Sequence, residues 1–102
     1  MLNISTEYQR GILFIRLRGR FDNNYFIFML NYLIYNFGIN VIVLNLSGLE
    51  YISLENIKYI DEYAKNILKK KRQILICDKE IRYNLFSNVI KINNEIEAFS
   101  LI

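Results

Sequence analysis

Residues Ile39–Leu46 read Ile-Asn-Val-Ile-Val-Leu-Asn-Leu, a nearly pure apolar run rich in β-branched side chains. A strand of this kind has no wet face, so it must be covered on both sides, the usual state of a central parallel strand. Covering two faces of a sheet demands a layered α/β architecture. The rest of the chain has to supply the layers.

It does so by alternating strand and helix patterns. Ile4–Gln9 alternates weakly and reads as an edge strand; Arg10-Gly11 is a turn, and Ile12–Leu17 is a strand with at least one buried face. The short connection makes these two an antiparallel hairpin. Arg18–Asp22 reads as an irregular segment. Asn23 or Asn24 then caps a helix running to about Phe37, which Gly38 ends. After Ile39–Leu46, the stretch Ser47–Ile52 reads as a tight turn and Ser53 as the cap of a second helix. The apolar residues of that helix (Ile57, Ile60, Ala64, Ile67 and Leu68) fall at three- and four-residue spacing, while Asp61, Glu62, Lys65 and Asn66 take its wet side. Gln73–Cys77 is a further central strand, Glu80–Phe86 a short helix, Val89–Ile92 a last strand and Glu95–Leu101 a short terminal helix. The pattern predicts a mostly parallel sheet of four to five strands with about four helices. Proline is absent, so turns depend on Gly, Asn and Asp.

The residue inventory bounds the chemistry. A chain of 102 residues with 53% hydrophobic side chains forms one globular domain, residues 1–102. Without histidine, Ser-His and Cys-His nucleophilic chemistry is excluded. With a single cysteine, Cys77, there is no intrachain disulfide and no cluster for a transition metal, and a reducing, cytoplasmic setting is expected. No P-loop or G-x-G-x-x-G occurs, so no nucleotide cofactor is implied. The net charge of +3 is mild, and the run Lys69-Lys70-Lys71-Arg72 suits the C-terminal turn of a helix better than a nucleic-acid patch. The longest apolar run, Tyr25–Leu30, is far short of the ~20 residues that span a bilayer. The expectation is a binding protein rather than an enzyme, with no cofactor, no nucleic acid and no membrane insertion.

Two local patterns carry a family resemblance. Leu17-Arg18-Gly19-Arg20-Phe21-Asp22 is similar to the L-x-G-x-L-D of the STAS domains, the anti-sigma factor antagonists of bacterial partner-switching systems. The strand Val41–Leu46 followed by Ser47-Gly48-Leu49-Glu50-Tyr51-Ile52 resembles the family's "v-l-D-l-S-g-v-x-f-i" segment, with Asn45 where an Asp is common. The likeness covers the whole chain in element order. It implies a STAS-like fold and a role in transcription-regulating signalling through a protein partner such as an anti-sigma factor or its kinase. In the family the next residues are typically D-S-S/T-G-L, the second hydroxyl residue being phosphorylated. Continuing without a gap, Ser53 falls on the Asp, Glu55 on the phosphorylated residue and Asn56 on the Gly.

A carboxylate cannot accept phosphate in a serine-kinase reaction, so the resemblance implies that the switch is lost at Glu55. Two readings of Glu55 stand side by side. A fixed negative charge at a helix N-terminus resembles phosphate in sign and place, which would lock the site in one state. An acidic residue in a first helical turn is also favoured for stability alone, by about 0.3–1 kcal/mol. Ser53 is in the same way an ordinary N-cap. Family analogy makes Asp22 a contact residue, and a solvated loop acid is the plain alternative. The expected partner surface comprises Asp22, Asn23, Asn24, Ser53, Leu54, Glu55 and Asn56.

The helix from Tyr25 to Phe37 is unusually apolar, with Tyr25, Phe26, Ile27, Phe28, Met29 and Leu30 in succession. A helix on one face of a sheet buries only a stripe. Tyr25, Phe26, Phe28, Met29 and Tyr32 are therefore expected to form an interface, either in a homodimer or in docking to another protein. The alternative to a signalling module is a structural subunit that uses the same scaffold and this helix inside a larger assembly.

Overall fold

The structure, a computed structural model, describes residues 1–22 and 25–101. The two asparagines expected to cap the first helix and to contact a partner, Asn23 and Asn24, lie outside the described residues. The elements are β1 (Leu2–Gln9), β2 (Ile12–Phe21), α1 (Tyr25–Phe37), β3 (Val41–Ile52), α2 (Leu54–Leu68), β4 (Gln73–Cys77) and β5 (Ile90–Lys91), with 3-10 helices at Ile81–Leu85 and Glu95–Ser100. They form one five-stranded sheet in the order β1-β2-β3-β4-β5. β1 and β2 are antiparallel, and every later pairing is parallel. The hairpin turn has positive φ at both Arg10 (53°) and Gly11 (84°), the combination whose twist suits a two-residue hairpin.

The first two parallel crossovers lay their helices, α1 and α2, on one face of the sheet. Leu13, Ile15, Leu17 and Phe21 of β2 and Ile42, Leu44 and Leu46 of β3 meet Phe26 and Leu30 of α1 and Ile57, Ile60, Ala64 and Ile67 of α2. Leu68, expected on that apolar stripe, is instead exposed. The second face is covered in part by the C-terminal segment. Ile12, Phe14, Val43, Leu75 and Cys77 pack there on Ile92 and Ala98, with Phe14 and Phe99 rings 5.6 Å apart. The central strand is thus covered on both sides over Ile42–Leu44, with Asn45 half-buried.

Two segments expected to be irregular are strand. Arg18–Phe21 continues β2, and the supposed turn Ser47–Ile52 continues β3. The pairing explains why they do not read as strand. Arg16 opposes Asn45 but Arg18 opposes Gly48; Gly19 opposes Leu49 but Arg20 opposes Tyr51. Each step inserts one extra residue into β3, a β-bulge that resets the alternation. Leu46, Leu49 and Ile52 are buried at a spacing of three instead of two. A search for period-two alternation misses such a strand. Both motif glycines serve this junction. Gly19 has φ +90°, and a Cβ there would collide with the Met1 carbonyl oxygen; a Cβ on Gly48 would meet Arg18 Cγ at 2.5 Å and the Leu17 carbonyl oxygen at 2.9 Å. The short helices expected near residues 80–86 and 95–101 are 3-10 turns, and the last strand shrinks to two residues.

Candidate functional site

The bulged ends of β2 and β3 deliver the chain to the start of α2. Ser53 stands in extended backbone (φ −71°, ψ 151°) as the N-cap, and its Oγ accepts a hydrogen bond from the Asn56 N–H at 3.1 Å. The Ser53 N–H donates to the Phe21 carbonyl at 3.3 Å. Asn56 Nδ2 donates to that same carbonyl at 3.2 Å. Two donors from the helix start thus hold the last carbonyl of β2. The end of β2 and the start of α2, thirty-odd positions apart, are thereby tied together. Asp22 follows the clasped Phe21 directly in the chain and is exposed.

Asn56 was expected on the partner surface, and the structure corrects this: it is only 3% exposed. Its amide is committed to Phe21 inside the domain, so it positions the surface and does not present itself to a partner. Leu54 is 66% exposed, and Glu55 is exposed beside it. Glu55 Oε1 accepts from the Tyr59 hydroxyl at 3.0 Å, one turn along the helix, and this hydrogen bond together with the carboxylate charge raises the Tyr59 pKa above its ordinary value. Asp22 faces Arg20 at 3.8 Å, with both side chains about half exposed. Arg20 in turn lies over the Tyr51 ring, 4.5 Å from its centroid. Arg20 and Tyr51 were not among the expected contact residues. They come together because the bulges pair them across β2 and β3.

The aromatic helix divides into two faces. Phe26 is buried (1% exposed) against Phe21, the ring centroids 5.3 Å apart, so it belongs to the core and not to an outer interface. Met29 packs on that core from a half-buried position, whereas Tyr25, Phe28 and Tyr32 are exposed.

Three polar clusters elsewhere hold the fold together and carry no sequence signal of their own. Arg82 donates to both carboxylate oxygens of the buried Asp78 at 2.8 and 2.9 Å and to the Leu46 and Leu49 carbonyls at 3.0 Å each, satisfying acceptors along the bulged part of β3. Arg16 donates to both oxygens of Glu95 at 2.9 and 2.7 Å and pairs with Glu7 at 3.0 Å; Asn45 Nδ2 also donates to Glu95, at 2.8 Å. The Arg16 hydrogen bonds hold Glu95 below the usual carboxylate range, outweighing its partial burial. Asp61, expected on the wet side of α2, accepts from the Ser87 and Asn88 N–H groups at 2.8 Å each and so anchors the loop before β5. Among the described residues no group of His, Cys, Asp or Glu side chains is placed to hold a metal ion, and no helix is long and apolar enough to cross a membrane.

This architecture is that of a STAS-like domain. Solved structures similar to it include two anti-sigma factor antagonists and a protein described as having a SpoIIAA-like fold. The antagonist SpoIIAA in its unphosphorylated form superposes with a TM-score of 0.71 over 96% of this chain and 94% of its own, at 11% identity. An anti-sigma factor antagonist from Mycobacterium paratuberculosis gives a TM-score of 0.77 over 100% and 94% at 13% identity. An uncharacterized DUF3478-family protein with a SpoIIAA-like fold from Shewanella loihica PV-4 gives 0.60 over 98% and 92% at 11% identity. No family model and no curated protein matches the sequence. The likeness is therefore one of fold, carried by tertiary structure across very low identity.

Proposed function

We propose that this chain is a non-enzymatic protein-interaction module, and that its partner docks on the surface formed by Asp22 and the Ser53–Glu55 helix start. The carrying observation is the double clasp of the Phe21 carbonyl by Ser53 and Asn56, which ties the end of β2, just before the exposed Asp22, to the helix start where Leu54 and Glu55 are exposed. An exposed apolar side chain such as Leu54 with polar groups around it has the apolar-centre, polar-rim make-up of a protein interface. Support also comes from the fold, which is shared with proteins described as anti-sigma factor antagonists. By that likeness the partner is a regulatory protein of the anti-sigma factor class. Glu55 then fills the place of a phosphorylated hydroxyl residue with a permanent negative charge, so binding does not respond to a kinase.

Site-specific photocrosslinking in native cells tests this. A photoreactive residue in place of Leu54 should yield one discrete protein adduct, and the same group in place of Lys69, at the far end of α2, should not. Adducts of equal strength from both positions, or none from Leu54, would remove the surface from consideration. Arg in place of Glu55 should abolish the adduct, whereas Glu55→Asp should retain it.

A further inference from the structure

We propose that this protein pairs with a second copy of itself along the outer edge of β1, setting the two α1 helices side by side across a two-fold axis. The surface involved uses neither Asp22 nor Ser53–Glu55, so the inference stands apart from the function proposed above.

β1 is the edge of the sheet and is laddered on one side only, to β2. An unpaired edge invites another strand, and natural edges are usually defended by proline, lysine, a bulge or shortness. β1 has none of these defences. It runs eight residues without a register break, contains no Pro or Lys, and carries a single charge, Glu7, which is paired with Arg16 of its own sheet.

The same flank is apolar. Met1, Leu2 and Ile4 and the α1 residues Tyr25, Phe26 and Met29 enclose an open cleft of about 350 Å³ between the strand edge and the helix. Tyr25, Phe28, Met29 and Tyr32 fall on one stripe of α1 by their three- and four-residue spacing. Tyr25, Phe28 and Tyr32 are 77%, 67% and 59% exposed, and Tyr8 on β1 is 62% exposed. α1 has no charged residue in its thirteen positions.

Area and symmetry both favour a second copy as the occupant. With about 150–250 Å² per aromatic side chain, these rings together with Ile4 and Met1 leave roughly 700–800 Å² of apolar surface on this flank. That approaches the ~800 Å² each partner gives to a standard stable interface. An uncharged stripe selects no oppositely charged partner. A strand that pairs antiparallel with its own copy makes a closed, self-complementary contact. The same two-fold brings both α1 stripes together, so a single operation covers the open edge and the exposed rings. With Thr6 opposite Thr6, Tyr8 meets Ile4 and Glu7 meets Ser5, which gives favourable cross-strand pairs and keeps the two Glu7 side chains apart.

The test is sedimentation velocity on the full chain from low to high micromolar concentration, with hydrogen exchange read on the same samples. The wild-type protein should sediment at twice the 12.3 kDa chain mass, and the amides of Leu2–Gln9 should gain protection as concentration rises. Tyr8→Lys on the strand and Phe28→Lys on the helix, each at an exposed site, should weaken self-association by about 10-fold or more with an unchanged circular dichroism spectrum. A monomer at every concentration overturns the proposal. So does a dimer that survives both substitutions, or one whose protection appears away from β1.

Discussion

Replacing Asn56 by Asp changes one NH₂ group to oxygen and leaves shape and volume almost the same. At this site it inverts the chemistry. The amide nitrogen donates to the Phe21 carbonyl at 3.2 Å from a position 3% exposed. After substitution at neutral pH, a carboxylate oxygen faces that carbonyl, and two acceptors meet in the interior. The Ser53 N–H still reaches the carbonyl, so the loss falls mainly on the introduced charge. A lost hydrogen bond costs about 1–1.5 kcal/mol, and an uncompensated buried charge raises the total to about 3 kcal/mol. Against the 5–15 kcal/mol of a typical domain this is large. Urea unfolding followed by circular dichroism measures it. The pH dependence gives a second readout. Burial favours the neutral acid in the native state, so the introduced carboxyl titrates higher folded than unfolded. Its penalty should be full above the folded pKa and shrink as pH falls through it, because the protonated acid regains a donor. A penalty below about 0.5 kcal/mol at pH 7, or one that does not vary between pH 4 and 7 while the wild type is subtracted, would refute the clasp as the element that joins β2 to α2.

Three further outcomes are expected. Gly19→Ala should destabilise by about 2 kcal/mol or more in the same unfolding assay, since the site combines φ +90° with contact against the backbone of Met1. Glu95→Gln should cost about 1–2 kcal/mol at pH 7. Because Arg16 lowers the Glu95 pKa, the stabilisation is present above the ordinary value of 4.5 and is lost as pH falls through the depressed one, so wild type and variant should converge in acid. Cys77 is buried, and desolvation foremost, with Glu95 and Asp78 adding to it, pushes its thiol up to about 11. It should therefore resist a thiol-reactive chromophore at pH 8 in the native protein and react at once in denaturant.

The elements that were legible in the sequence are those whose signal is local. The hairpin turn, the α2 cap at Ser53, the Gly38 end of α1 and the β4 run each announce themselves within a few residues. The likeness to STAS domains was legible on two short motifs, and the tertiary structure carries it where identity to similar structures is 11–13%. The strand character of Ser47–Ile52 was not legible, because two bulges replace the two-residue period with spacing of three. Asn56 was misplaced for a related reason. A polar residue in a first helical turn looks solvated, and only the return of β2 beneath it supplies the carbonyl that draws it inside. Arg20 and Tyr51 share a surface through strand pairing alone.

What the sequence determined by itself is the layered architecture. A run that can tolerate no water on either face, set among alternating strand and helix periods, leaves few other solutions. It also determined the residue types available at the start of α2, a capping serine followed by an apolar and an acidic side chain. Tertiary structure decided which of those side chains face outward and what stands beside them. Bulge positions and the Phe21 clasp depend on groups about thirty residues apart, and no local periodicity records the carbonyl that a distant strand will offer.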